Sequence, residues 1–116
     1  MTLRDQIKHV IDTEPVAVFI KGTPERPACG NSLRALQALH KAGAPVAVVD
    51  VLPDPQIRQE LTALSDWPTI PQVFVKGELL GGADITEELL ESGELERKLD
   101  DALGQDRDHT VKLVAV

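Results

Sequence analysis

Val16-Ala17-Val18-Phe19-Ile20, then Lys21-Gly22-Thr23-Pro24-Glu25-Arg26-Pro27-Ala28, then Cys29 to Ala42, then Val46-Ala47-Val48-Val49 is the stretch whose reading decides the fold. The first five residues are an unbroken apolar run of strand length, rich in β-branched side chains. Such a run suits a strand buried on both faces. The next eight hold one glycine and two prolines, which disfavour any regular element, so they read as a loop. From Cys29 the residues favour helix, with Leu33, Ala35, Leu36, Ala38, Leu39 and His40, and Gly43 as the stop. Val46–Val49 is a second buried strand. Strand, helix, strand in this order is a parallel βαβ unit, right-handed by steric preference.

Outward from this unit the pattern is regular. Residues 2–13 predict an amphipathic helix, with Leu3, Ile7, Val10 and Ile11 on one face and Thr2/Asp5 as a capping box. Pro55–Leu64 predicts another, with Ile57, Leu61 and Leu64 inward and a proline where it costs no hydrogen bond. Val73-Phe74-Val75, Lys76-Gly77 and Leu79-Leu80 read as an antiparallel hairpin. Asp84 is expected to cap a helix from Ile85 to about Leu90, and Gly93 to break it. Leu95, Leu99 and Leu103 mark the inner face of a last helix. Glu87, Glu88, Glu91, Glu94, Glu96, Asp100 and Asp101 read as a solvated acidic face. One domain over residues 1–104 is expected, followed by a C-terminal tail over 105–116. The tail reads as frayed, with an added edge strand or partner contact as the alternative.

Composition narrows the function. The 116 residues carry 12 Lys+Arg against 19 Asp+Glu, a net charge of −7, which argues against bulk nucleic-acid binding. No apolar run has the roughly 20 residues a membrane helix needs, and the charged N-terminus leaves no room for a signal-peptide core. The single cysteine excludes an internal disulfide or a C-x-x-C pair. Separated from it and from one another, His9, His40 and His109 do not suggest a zinc finger. A reducing, cytoplasmic setting is the simplest expectation.

Cys29 stands where a loop feeds a helix, and a helix N-terminus offers free N–H groups and the positive dipole end to a thiolate. Lys21, Arg26 and Arg34 are near in sequence and are expected to add positive potential. The competing reading is a small buried cysteine. Trp67-Pro68-Thr69-Ile70-Pro71-Gln72 precedes the hairpin; local sequence alone favours trans at Pro71. Gly81-Gly82-Ala83-Asp84 is a glycine turn entering a helix. It suits either a plain turn with a cap or a place for a carboxylate on free N–H groups.

In this order, Lys21-Gly22, Cys29-Gly30-Asn31-Ser32, Arg58, Trp67–Gln72 and Gly81–Asp84 resemble the monothiol glutaredoxins over about residues 3–103. The resemblance implies an α/β thioredoxin-like fold, a mixed four-stranded sheet flanked by helices. It implies that the chain binds glutathione, with Lys21 and Arg58 on its glycine carboxylate. Ile70 before a cis Pro71 would pair with its backbone, Thr69 would join the same wall and Trp67 support it, and Ala83 and Asp84 would receive its γ-glutamyl end. Cys29 is implied as the catalytic and cluster-ligating thiol, with Ser32 in place of a second cysteine. A 2Fe–2S cluster would bridge two subunits, since four thiolates need one cysteine from each and one thiol from each of two glutathiones. The implied partners are a second copy of this chain when cluster-bound (a monomer otherwise), apo iron–sulfur recipients and BolA-type proteins.

The sequence departs from the family at two points. Asn31 replaces an aromatic of the C-G-F-S motif, and Ala83 stands where many relatives carry a second cysteine. Three functional readings follow: a cluster carrier, a glutathione-dependent thiol–disulfide oxidoreductase, and a binding module without redox chemistry.

Overall fold

A computed structural model describes all residues, 1–116. The elements follow the hydrophobic pattern: α1 (Leu3–Thr13), β1 (Val16–Ile20), α2 (Gly30–Lys41), β2 (Val46–Asp50), α3 (Pro55–Ser65), β3 (Gln72–Val75), β4 (Glu78–Gly81), α4 (Ala83–Ser92), α5 (Glu94–Leu103) and β5 (Val111–Leu113). The Thr2/Asp5 capping box forms in both directions. The sheet order is β4-β3-β1-β2-β5. β1 runs parallel to β2 and antiparallel to β3, and β3 and β4 form the hairpin. This is the mixed, helix-flanked, thioredoxin-like sheet that the sequence implies.

β1 occupies the centre because every one of its side chains is apolar and buried. Strand alternation divides them between the two faces. Val16, Val18 and Ile20 join Ala35, Leu39, Leu95 and Leu99 on the α2/α4/α5 side. Ala17 and Phe19 join Ile7, Ile11, Ile57, Leu61 and Phe74 on the α1/α3 side. Phe19 and Phe74 meet edge to face, their ring centroids 5.7 Å apart, the geometry their quadrupoles prefer. With so few aromatics, the core is held by aliphatic side chains, each contributing about 1.5–3 kcal/mol on burial.

Two expectations require correction. The sheet has five strands rather than four, and the segment after Gly104 is not frayed. β5 adds to the sheet edge parallel to β2, with Val46↔Val111 and Val48↔Leu113 in register. Val46 N–H donates to Thr110 O at 2.8 Å, and Val114 N–H to Val48 O at 2.8 Å.

The reason lies in Arg107. Its side chain is only 10% exposed. Its guanidinium donates to Gly43 O (3.1 Å), Ala42 O (2.9 Å), Gly104 O (2.9 Å) and Asp100 Oδ1 (2.5 Å). One side chain thus satisfies carbonyls at the C-terminal ends of both α2 and α5, groups that a helix leaves unpaired. That lashing delivers the chain to β2. Val114 and Val116 then pack on the α1/α3 side. Composition gave no hint of it, because an arginine in a polar segment looks like ordinary surface.

Of the acidic face, Glu88, Glu91, Glu94, Glu96 and Asp101 are exposed as expected, and the two part-buried members find cations. Asp100 pairs with Arg107, and Glu87 with Arg34.

Arg107→Ala is expected to lower the unfolding free energy by about 2–3 kcal/mol, since it strands carbonyls and a carboxylate around a nearly buried charge. Arg107→Lys should recover less than half of it, lacking the planar fork. Lys112→Ala breaks only a half-exposed pair with Glu14 and should cost less than about 1 kcal/mol. Urea unfolding midpoints of the three variants check this; equal effects of Arg107→Ala and Lys112→Ala would show that Arg107 is not the clamp.

Candidate functional site

The site is assembled at the carboxyl end of β1. The chain leaves Ile20 into a loop that is short of regular structure but closed by hydrogen bonds. Ala28 N–H donates to Lys21 O at 2.7 Å, and Thr23 and Arg26 exchange backbone bonds. Gly22 sits at φ +99°, where an added Cβ would lie 2.4 Å from Arg26 O. Only glycine permits this turn. Gly22 N–H also donates to Asp50 Oδ1 at 3.0 Å, and the same oxygen accepts from Leu52 N–H at 2.9 Å. Asp50 therefore fixes the loop to the end of β2. Sequence reasoning assigned Asp50 no role; its place as the one charged residue ending a buried strand was the available signal.

Cys29 is the N-cap of α2, and its sulfur takes the capping role, accepting from Ser32 N–H at 3.3 Å. The side chain is part-buried, neither packed away in the core nor fully open. Ser32 is completely buried. Its hydroxyl lies 3.0 Å from Cys29 Sγ and accepts from Lys21 N–H at 3.1 Å. Burial pushes the thiol up. The Ser32 hydroxyl, the Ser32 N–H, the positive charge of Lys21 and the Asn31 N–H together outweigh it and hold the thiol below its ordinary value. Lys21 meets the expectation of a cation acting on the sulfur. Arg26 and Arg34 are not among the leading causes of the shift, and Arg34 is turned toward α4.

Two clefts flank the Trp67–Pro71 segment. One, of about 670 Å³, is lined by Lys21 and Arg58 with Val51, Leu52 and Pro68 among its walls. Arg58 donates to Pro68 O at 3.2 Å. The other, of about 400 Å³, is lined by Asn31, Trp67, Thr69, Ile70, Pro71, Ala83 and Asp84, with Glu88 at its edge. Cys29 lines neither, but Asn31, two residues on, lines the second. The structure therefore divides the residues singled out from sequence into a basic cleft and a mixed one, and Cys29 caps the helix beside them.

The Ile70–Pro71 bond is cis, as the resemblance implied and against the preference of local sequence. Gln72 braces the segment from beneath. It is fully buried, and its amide donates to Trp67 O (2.9 Å) and Thr69 O (3.3 Å). This second missed residue had a signal, a polar side chain opening an apolar strand. Trp67 Nε1 and Gln72 Oε1 are the buried side-chain polar atoms left without a partner, and both belong to this segment.

Asp84 is not the cap of α4. Gly82 is the N-cap, and no side chain satisfies the N–H groups behind it, so the first turn of α4 keeps free donors toward the cleft. Gly81, at φ +129°, has no room for a Cβ, which would lie 2.6 Å from Ile85 Cγ2. The Asp84 carboxylate is exposed and accepts from Arg34 Nη2 at 2.8 Å. Arg34 also grips Glu87 and holds its carboxyl below the usual range.

No three His, Cys, Asp or Glu side chains are grouped to hold a metal ion, and no helix is long and apolar enough to cross a membrane. Chemically the site offers one activated thiol, a basic cleft on one side, and free N–H groups with a carboxylate on the other.

Comparison with known proteins gives the same assignment. The glutaredoxin family model matches residues 16–80. The chain is 52% identical over 86 residues to a probable monothiol glutaredoxin, GrlA, of Legionella pneumophila, covering 74% of this chain and 97% of that one. It is 46% identical over 101 residues to glutaredoxin 4 of Pasteurella multocida, covering 87% and 93%. Among solved structures, reduced poplar apo GrxS14 superposes with a TM-score of 0.78 at 38% identity, over 88% of this chain and 94% of that one. A monomeric truncated mutant of Trypanosoma brucei 1-C-Grx1 gives 0.79 at 42%, over 87% and 92%. With one cysteine at the head of α2 and a serine where a second would stand, the chain belongs to the glutaredoxin family, in its monothiol branch.

Proposed function

We propose that the protein binds glutathione between its two clefts and carries a 2Fe–2S cluster as cargo, shared with a second copy of the chain. The observation that carries this reading is the arrangement of donors around one accessible thiol. Glutathione is extended and has a carboxylate at each end. Lys21 and Arg58 lie in the basic cleft and suit the glycine carboxylate through charge-assisted bonds. The backbone of Ile70, before Pro71, suits strand-like pairing with the peptide, and Thr69 adjoins it. The N–H groups of Ala83 and Asp84 suit the γ-glutamyl carboxylate, and the Asp84 carboxylate suits its ammonium.

The cluster follows from counting. A 2Fe–2S unit needs four thiolates, and each chain supplies Cys29 alone. The remaining ligands must come from the second chain and from bound glutathione, so ligation and dimerisation are one event. Ligands that are small and exchangeable suit transfer to apo iron–sulfur proteins or a BolA-type partner. A cytoplasmic setting belongs to the same proposal.

The lowered thiol favours one further reading, glutathione-dependent reduction of mixed disulfides. The Cys29 thiolate attacks the glutathione sulfur of a mixed disulfide; a Cys29–glutathione bond forms, and the protein thiolate leaves. A second glutathione thiolate then attacks this adduct, releasing oxidised glutathione and the Cys29 thiolate. No second cysteine is required.

Anaerobic reconstitution with iron, sulfide and glutathione tests the carrier. The expected product is a coloured dimer whose visible absorption is lost on removing glutathione and absent in Cys29→Ser. A colourless monomer would remove the reading.

The thiol has its own test. Ser32→Ala deletes the hydroxyl beside the sulfur, so the thiol should titrate higher and alkylate several-fold more slowly at neutral pH. Ultraviolet titration of the thiolate reads the shift, and an unchanged curve would show that Ser32 is only packing. The sign for stability is fixed too. The thiol ionises more readily folded than unfolded, so its contribution is full above the ordinary thiol range and lost as pH falls through the lowered value.

A further inference from the structure

We infer that Asn31 is a ligand-reading residue: its amide N–H group, aimed by Arg34, binds the carboxylate at the γ-glutamyl end of the ligand. The inference rests on the glutathione reading and assigns a group within it. Asn31 and Arg34 are one turn apart on α2, a spacing that places them on one face. Arg34 Nη1 donates to Asn31 Oδ1 at 2.9 Å. A guanidinium has donors only, so the amide oxygen must face Arg34, which leaves the amide nitrogen free as a donor. Asn31 lines the cleft that holds Ala83 and Asp84, and Arg34 Nη2 also reaches Asp84 Oδ1 at 2.8 Å. The free amide donor and the uncapped N–H groups of α4 therefore belong to residues that line one cleft.

Charge explains why the arrangement needs Arg34. Asp84, Glu87 and Glu88 cluster at this end of α4, and three carboxylates would repel an approaching fourth. Arg34 engages two of them. It places positive charge against the acids and turns the neutral donor of Asn31 to the opening. An aromatic at position 31 could supply neither the donor nor the link to Arg34. Arg34 is a positioning residue in this scheme, and Asn31 the one that touches the ligand.

The test compares two ligands by calorimetry. S-methylglutathione cannot form a disulfide, so binding is read without thiol chemistry. The second ligand is S-methylated 4-aminobutanoyl-cysteinyl-glycine, which lacks only the γ-glutamyl α-carboxylate. Wild-type protein should prefer the first by roughly tenfold or more, the scale of a charge-assisted hydrogen bond group. Asn31→Leu should lose about fivefold for S-methylglutathione and little for the second ligand, so that the preference falls to about twofold. Arg34→Ala should also reduce the preference, and added to Asn31→Leu should reduce it by less than it does alone. A merely structural role for Asn31 would weaken both ligands alike. That result, or a preference unchanged in Asn31→Leu, overturns the assignment while leaving the glutathione reading in place. Wild-type protein that binds neither ligand overturns both.

Discussion

The hydroxyl of Ser32 is where the strand, the helix and the sulfur meet. It accepts from Lys21 N–H, the first donor past β1, and lies against Cys29 Sγ. A hydroxyl is suited to this because it both donates and accepts. The bond to Lys21 fixes how α2 leaves the sheet, and thus where its first turn points. The contact with the sulfur stabilises the charged form of the group that the turn presents. A cysteine at position 32 would offer a second thiol but a poorer partner for Lys21 N–H. In this chain the position serves geometry and electrostatics at once, and on the proposed function the chemistry that needs a second thiol would fall to an external one.

A similar economy of parts governs the opposite wall. The Trp67–Pro71 segment lies between the two clefts and belongs to neither helix nor strand. A backbone with unpaired groups suits a peptide-like ligand only if it is held still. Gln72, buried at the head of β3, holds two of its carbonyls, and Arg58 holds a third from the far side. Two side chains of different charge and burial thus hold one segment from two sides.

Much of the fold was legible in the sequence because it rests on short-range signals. Val16–Ile20 and Val46–Val49 are strands by composition, α2 lies between turn residues, and Thr2 with Asp5 caps α1 by spacing alone. The site was legible as a set of motifs, and Cys29 as the head of a helix. What was not legible depends on contacts between distant residues. Nothing near Arg107 shows that it reaches Ala42 and Gly43, so β5 was read as loose chain. Arg34 is three residues from Asn31 but fifty from Asp84, and only the packing of α2 on α4 turns it away from the sulfur. Asp50 and Gln72 are polar residues at the ends of buried strands, and their partners lie on loops whose course sequence does not fix.

Charge distribution ties these observations to function. The chain is strongly acidic, yet its cations are unevenly used. Arg4, Lys8, Arg34, Arg107 and Lys112 are taken up in ion pairs with acids of the same chain. Lys21, Arg26, Lys41, Arg58, Lys76, Arg97 and Lys98 are in none of these pairs, and of them Lys21 and Arg58 share one cleft that has no acid in its walls. In a field that is otherwise negative, two unneutralised cations in a concave surface are where a small anion is drawn, and the surrounding acids repel it elsewhere. The same negative field acts between two copies of the chain, but beyond a Debye length of about 8 Å at physiological salt it is largely screened. On the proposed function, a small ligand with two carboxylates would be drawn into the cleft at short range, and two chains would meet through what they bind in common.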